Sequence, residues 1–344
     1  MKAMRLYEYG KPLRLEDVPV PKVSGEEVLI KIGGAGVCHS DLHLIEGHWK
    51  DIIPTTLPIT PGHENAGWVA EVGDKVEGFK PGDPVLVPGG WTCEACRYCR
   101  SGRFELCNTP VMMGLVGADG GYAEYVYYKT YRGLVKIDGL DPVEAAPFAD
   151  AALTPYSAIK KVLGRLYPDS FAVVVGVGGL GQYAIQFLKV LAPETNIIAV
   201  DVSDRKLEIA ASLGASYLVN SRKVNVLEEV VGKVTGGRGV DVVLDFVGAE
   251  TLSTDVYMLC KGGILVPVGL SGQTFTLPVF NTIIFEYEIV GSFYGGFNEL
   301  QEIVALAKKG RIKSFIKRFR LEEANEALEA LKKGEIEGRA VLVP

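Results

Sequence analysis

The sequence predicts an α/β protein in two parts: a loop-rich β domain, then a doubly wound parallel sheet. Its 344 residues exceed the roughly 250–300 at which single cores stop growing. The texture of the chain also changes near residue 153. Before it come Gly, Pro and short β-type runs, EEVLIKIGGAGVC, AGWVAEVG, DPVLVP and GYAEYVYY, punctuated by turn pairs such as Pro61-Gly62 and Pro81-Gly82. From Phe171 onward strands and helices alternate. FAVVVGVG leads into the helical GLGQYAIQFLKVL and NIIAVDVS into RKLEIAASLG, and VDVVLDFVG and GGILVPVGL continue the series as strands. Parallel strands need a crossover connection, so this alternation points to βαβ units. Past residue 291 follow two helical runs, NELQEIVALAKKG and LEEANEALEALKKG, and a closing strand RAVLVP. The expected divisions are 1–152, 153–290 and 291–344.

Composition narrows the function. The hydrophobic and charged fractions, 48% and 23%, are those of a globular protein. A net charge of −6 with no basic stripe argues against nucleic acid as a partner. The opening MKAMRLYEYGK lacks the apolar core of a secretion signal, and no run of about 18 apolar residues exists to span a membrane. The expectation is a cytoplasmic protein with reduced thiols, where clustered cysteines bind metal rather than pair as disulfides.

In the second part, VVVGVGGLG holds Gly176, Gly178 and Gly181 in a G-x-G-x-x-G pattern, with Gly179 and Leu180 between the last two. A glycine pattern alone is weak evidence. Here it follows the strand Phe171–Val175 and opens a helix, and Asp201 ends the next strand twenty residues later. Gly176 permits a tight turn, Gly178 lets backbone approach a pyrophosphate, and Gly181 lets helix and strand pack closely. Asp201 can accept hydrogen bonds from ribose hydroxyls and would repel a 2′-phosphate, although Arg205 and Lys206 lie just beyond it. A dinucleotide, NAD(H) in preference to NADP(H), is the expected cofactor.

The stretch CEACRYCRSGRFELC places Cys93, Cys96, Cys99 and Cys107 within fifteen residues. Four thiolates at this spacing can close a tetrahedron around Zn2+ with no position left for water, which makes the site structural. A redox pair would leave two cysteines unexplained. The stretch reads as a loop too short for a core of its own, so metal binding would fold it. All four histidines lie in the first part. GVCHSDLH groups Cys38, His39, Ser40, Asp41 and His43, and PGHENAG sets His63 beside Glu64. Cys38 and His63 are good zinc ligands by type, but a buried structural role fits either residue taken alone.

Together GVCHSDLH, GHENAG, the four-cysteine lobe and VVVGVGGLG resemble, in order and spacing, the zinc-dependent medium-chain alcohol dehydrogenases. The resemblance runs through the closing LEEANEALEALKKGEIEGRAVLVP. It implies a GroES-like β-rich catalytic domain, interrupted by a Rossmann domain and completed by the C-terminal segment. It implies Cys38 and His63 as ligands of a catalytic zinc, Asp41 as the carboxylate that orients His63, and Glu64 as an auxiliary carboxylate able to approach the metal. Ser40 and His43 would relay the alcohol proton, and His39 would contact the pyrophosphate. Lys206, Val268 and Leu270 would be further cofactor contacts. His48 matches no family role and reads as a surface residue. Homotetramers, or alternatively homodimers, are implied, with the strand EYEIVGSF a candidate to pair across a two-fold axis.

The chain departs from the family pattern twice. Where many members carry a cysteine as third zinc ligand, PFADAALTPY offers Asp150, which could also be a helix N-cap. Cys260, the remaining cysteine, reads as a buried apolar residue. In GSFYGGF, Gly296 and Phe297 stand near the place where a polar or basic residue often meets the cofactor. Trp49, Trp91, Leu115 and Leu270 are candidate pocket walls, and would favour apolar or aromatic alcohols and ketones. The alternatives are a polyol or sugar dehydrogenase, which Asp150 favours, a zinc-free quinone or enoyl reductase, and a non-enzymatic NAD(H)-binding sensor. Cys38, His63 and the four-cysteine lobe speak against the reductase, and nothing in the sequence speaks for the sensor.

Overall fold

A computed structural model describes residues 1–53 and 55–344. The chain divides into two compact units, residues 1–153 with 295–344 and residues 154–294.

The first unit is β-rich. Its main sheet runs Val135–Lys136, Pro84–Val87, Glu64–Val72, Val28–Val37, Arg339–Val343 and Ile316–Arg320, with Tyr125–Tyr128 also pairing with Val28–Val37. The strand Val28–Val37 is buried at every position but Lys31, because it pairs with three neighbours and faces core on both sides. The closing strand pairs antiparallel with it, Ala340 opposite Val37 and Leu342 opposite Ala35. The C-terminus is thus part of the same sheet as residues 28–37. Ile30, Ile32, Val37, Val85, Val87, Tyr122, Tyr128 and Leu342 belong to one buried cluster. Each such aliphatic side chain contributes roughly 1.5–3 kcal/mol on burial.

The second unit is a parallel sheet of six strands among the described residues. Their order is Tyr217–Asn220, Asn196–Asp201, Phe171–Val175, Val240–Asp245, Leu259–Pro267 and Glu288–Ile289. Numbered along the chain, that is 3-2-1-4-5-6, the order of a dinucleotide-binding doubly wound sheet. The run VDVVLD is buried at all six positions, as expected of a parallel strand covered on both faces. Two local expectations change. The strand within EYEIVGSF is only Glu288–Ile289, since it lies at the sheet edge with one neighbour. Cys260 is partly exposed rather than buried, its Sγ 3.8 Å from Asp241 Oδ1. No helix among the described residues is long and apolar enough to cross a membrane.

Candidate active site

Cys38 directly follows the strand Val28–Val37 and precedes a helix, His39–Ile45, so its side chain leaves the sheet at a fixed turn. Asp41, in the first turn, accepts the Cys38 backbone N–H at 2.9 Å through Oδ2, and the same oxygen accepts the Tyr122 hydroxyl at 2.8 Å. Its other oxygen faces His63 Nδ1 at 3.4 Å. Neither of these two buried atoms has a formed hydrogen bond elsewhere among the described residues, so each is directed at the other. His63 lies just before the strand Glu64–Val72, and its Nε2 is 3.4 Å from Asp150 Oδ2. That carboxylate oxygen is also 3.6 Å from Cys38 Sγ. Asp150 follows the short 3-10 turn Ala146–Ala149, three positions before the next helix begins at Leu153.

Cys38, His63, Glu64 and Asp150 are all buried, and one donor atom from each falls within 4.8 Å of the others. Burial alone would lower the His63 imidazole, but Asp41, Asp150 and Cys38 override it and raise it well above its ordinary range. A buried pocket lined by two carboxylates, a thiol and an imidazole suits a dication. Tetrahedral zinc with nitrogen, oxygen and sulfur ligands would set donor separations of roughly 3.3–3.6 Å. The observed 3.4 and 3.6 Å fit.

Arg339 was not singled out in the sequence. Its guanidinium donates to both oxygens of Glu64, Nε at 2.9 Å from Oε2 and Nη2 bound to Oε1, and Nη2 lies 3.7 Å from Asp150 Oδ2. Both side chains are almost fully buried, 2% and 0% exposed. Burial pushes the Glu64 carboxyl up, to about 7, against the pull of Arg339. Gly36 sits opposite Glu64 across the sheet, and a Cβ there would meet Glu64 Oε2 at 1.9 Å. The glycine makes room for the carboxylate. Tyr122 was also missed. Nothing in GGYAEYVYY marks it, because its partner Asp41 lies 81 positions away.

His39 is exposed, and Ser40 and His43 are partly exposed along the same helix. His43 packs its ring on Trp49, centroids 4.9 Å apart. Trp49 and Leu115 line one small recess with Tyr9, Leu44, Lys50, Ile53 and Thr55. Trp91 instead packs edge-on against Tyr127 and Tyr128, and is joined to the core of its unit.

In the lobe, Cys93 Sγ is 4.0 Å from Cys99 and 3.6 Å from Cys107, and Cys96 is 3.5 Å from Cys99. Disulfide sulfurs would sit near 2.05 Å. A zinc tetrahedron with bonds of about 2.3 Å has edges of about 3.8 Å, so these separations fit the metal. Backbone N–H groups of Cys93, Cys96 and Thr109 point at the sulfurs at 3.3–3.4 Å. Such donors, from Cys99 and Asn108, pull the Cys96 thiol down to about 6, while burial pushes Cys99 up to about 11. The expected loop contains one helical turn, Arg97–Arg100, and a 3-10 turn, Phe104–Leu106.

In the second unit the glycine loop links the strand Phe171–Val175 to the helix Gly181–Leu191. Gly176 has φ +85°, and a Cβ on Gly181 would meet the Gly176 carbonyl at 2.0 Å. A Cβ on Gly178 would meet nothing within 4 Å, leaving the backbone open to an anion at the helix N-terminus. Asp201 is buried, and its two oxygens accept Val177 N–H at 2.8 Å and Ser203 N–H at 2.9 Å. The carboxylate therefore braces the loop. Arg205 is exposed and Lys206 partly so. Val268 is buried, with its N–H on the Asp245 carbonyl at 2.9 Å, and Leu270 is 53% exposed.

A family model described as "Alcohol dehydrogenase GroES-like domain" matches residues 24–139, and one described as "Zinc-binding dehydrogenase" matches 179–309. An NAD-dependent alcohol dehydrogenase of Sulfurisphaera tokodaii is 42% identical, with all of both chains covered. The D-arabinose 1-dehydrogenase (NADP(+)) of Saccharolobus solfataricus is 38% identical, covering 100% of this chain and 97% of its own. Among solved structures, the alcohol dehydrogenase of Aeropyrum pernix aligns with a TM-score of 0.95 at 42% identity, with both chains fully covered. With its GroES-like unit and Rossmann sheet, the chain belongs to the zinc-dependent medium-chain alcohol dehydrogenases, an oxidoreductase family.

Proposed function

We propose that the chain interconverts alcohols with aldehydes or ketones, using NAD(H) and two zinc ions, one catalytic and one structural. The observation that carries this reading is the convergence of Cys38, His63 and Asp150 in a buried pocket. These three residues would hold the catalytic ion, and Cys93, Cys96, Cys99 and Cys107 the structural one. When bound, zinc supplies Lewis acidity towards the substrate oxygen, and the nicotinamide ring exchanges the hydride.

The chain's own residues do the rest. Asp41 fixes the His63 tautomer through Nδ1, leaving Nε2 free to ligate. Glu64 is committed to Arg339, so any approach of its carboxylate to the ion must give up part of that pairing. Ser40 and His43 carry the alcohol proton away, and His39 meets the pyrophosphate. Gly176, Gly178, Gly179, Leu180 and Gly181 wrap the phosphates, Asp201 selects the unphosphorylated ribose, and Lys206, Val268 and Leu270 complete the cofactor contacts. Trp49 and Leu115 line one apolar recess, which favours apolar or aromatic substrates. We place the protein in the cytoplasm, where the lobe's thiols stay reduced.

A second reading, a sugar or polyol dehydrogenase, is supported by the relative that acts on D-arabinose. One experiment separates the two: a panel of aliphatic, aromatic, polyol and sugar substrates with both cofactors, on protein whose metal content is measured. Two zinc ions per chain and the highest kcat/KM on apolar alcohols with NAD are expected. A preference for aldoses would replace the substrate assignment, and NADP preference would mean Arg205 and Lys206 outweigh Asp201.

For assembly we favour a homotetramer over a homodimer. Among the described residues the strand Glu288–Ile289 leaves one edge unpaired, and the adjoining helix Val279–Ile284 exposes Val279, Phe280, Ile283 and Ile284 at 59–71%. Open edges and contiguous apolar surface are features that subunit contacts cover. Light scattering checks the mass.

A further inference from the structure

His48 has no counterpart in the roles assigned above, yet it is tied to His43. The turn Glu46–Gly47 folds back so that the His48 N–H bonds the His43 carbonyl at 3.0 Å. The two rings then meet Nδ1 to Nδ1 at 3.1 Å. Two ring nitrogens at that distance share one proton, one donating and the other accepting. The far side of His48 opens outward: Nε2 lies 3.6 Å from Glu46 Oε2, and the side chain is 57% exposed. Glu46 is held in place by Lys332, whose Nζ lies 2.5 Å from its other oxygen. Trp49 covers one side of the His43 ring.

We propose that His48 is a positioning and proton-passing residue, which fixes the tautomer of His43 and carries its proton to solvent. The proposal rests on the reading of His43 as carrier of the alcohol proton. With His43 Nδ1–H donating to His48 Nδ1, the lone pair of His43 Nε2 is free to accept. When a proton arrives at Nε2, the one on Nδ1 passes to His48 Nδ1, and His48 releases its own Nε2 proton to water beside Glu46. One proton enters, one leaves, and no other bond changes. Exchange with water returns both rings to their starting tautomers. Carbonyl reduction runs the same path inward.

The groups facing His43 are consistent with a carrier that is neutral at rest. Burial lowers its imidazole, the charge of a protonated His48 lowers it further, and Glu46 partly opposes both.

The test compares His48→Asn, His48→Ala and His43→Gln. Asparagine keeps a polar atom near Nδ1 but cannot carry a proton. Stopped-flow measurements would follow NADH absorbance and, with an indicator dye, proton release in a single turnover of alcohol oxidation. In the unmodified enzyme the two signals should coincide. Both His48 variants should delay proton release at least about threefold, with KM and unfolding midpoint unchanged, and added imidazole should restore it. Nitrogen-15 NMR of the enzyme without substrate should show the His43 titration moving upward in His48→Asn. Wild-type proton release in His48→Ala, with His43→Gln impaired, would overturn the role of His48 alone. Full recovery in His48→Asn would reduce it to positioning and overturn the proton transfer. If His43→Gln also matches the wild type, the reading of His43 fails instead.

Discussion

In the lobe, the four sulfur donors come from a stretch whose ends, Cys93 and Cys107, stand 14 positions apart, and the backbone N–H groups of that stretch point at them. In the buried pocket, Cys38 and Asp150 stand 112 positions apart and meet only because a strand, a turn and a helix start converge. Charge differs too. The lobe sulfurs are stabilised by peptide dipoles, whereas the pocket balances carboxylates against the guanidinium of Arg339, 275 positions from Glu64. The contrast teaches that a local cluster can be stable by itself once metal is bound, while the pocket depends on the whole first unit being folded. Loss of a lobe ligand should therefore be felt as stability, and loss of a pocket residue as charge imbalance or lost chemistry.

The largest expected effect is at Arg339. Arg339→Ala leaves the Glu64 carboxylate buried without its partner, which should cost about 3–5 kcal/mol in denaturant unfolding. Adding Glu64→Gln should recover most of it. A cost no larger than that of a lobe substitution would mean that the pocket is not held together by charge.

Next comes Asp150. Asp150→Asn keeps the shape but removes the anion, so one zinc and at least about 100-fold of kcat should go, since even outer partners of a ligand are worth 10–100-fold. The unfolding midpoint should change little, and Asp150→Cys should restore the metal. Full zinc content and turnover in the asparagine variant would exclude Asp150 as a ligand and shift attention to Glu64.

Cys99→Ser sharpens the other side. Cys99 is buried in the lobe, and its loss should lower stability by about 1–3 kcal/mol while leaving turnover per intact chain near normal. Unchanged stability with lost turnover would contradict the division between the two clusters.

A pH series tests whether buried carboxylates need a cation at all. Asp255 is 3% exposed, and burial, reinforced by the neighbouring Asp245, raises its carboxyl to about 9. Asp245 is satisfied by the N–H groups of Val247 and Gly248 and by the Thr251 hydroxyl. An unfolded Asp titrates near pH 4. Between about pH 4 and pH 9 the folded chain therefore binds one more proton at this residue, and its stability falls as pH rises. Asp255→Asn should remove that slope. The unfolding midpoint of the variant should gain on the wild type steadily from pH 5 to pH 9, and parallel curves would refute the raised Asp255 carboxyl.

Some of this was legible from residue order alone. The Rossmann alternation, the glycine loop with its acid at the end of the next strand, and the four-cysteine spacing all depend on neighbours in sequence, and the parallel sheet bears the fold reading out. The identity of the short edge strand was not legible, because EYEIV has the composition of a longer one, and only its place beside Leu259–Pro267 limits it. Nor was the partial exposure of Cys260 legible, since it follows from the position of Cys260 near the start of the strand Leu259–Pro267.

The sequence by itself determined which donor types exist and in what local spacing: four thiols in one stretch, a glycine turn before a helix, Cys38 and Asp41 three positions apart across a helix start. These relations are set by backbone geometry over a few residues, and no distant contact can change them. Tertiary structure alone decided that Arg339 faces Glu64 and that Tyr122 reaches Asp41. These pairings join segments 275 and 81 positions apart, and burial makes them matter, because a charge or hydroxyl removed from water must find a partner wherever the fold supplies one.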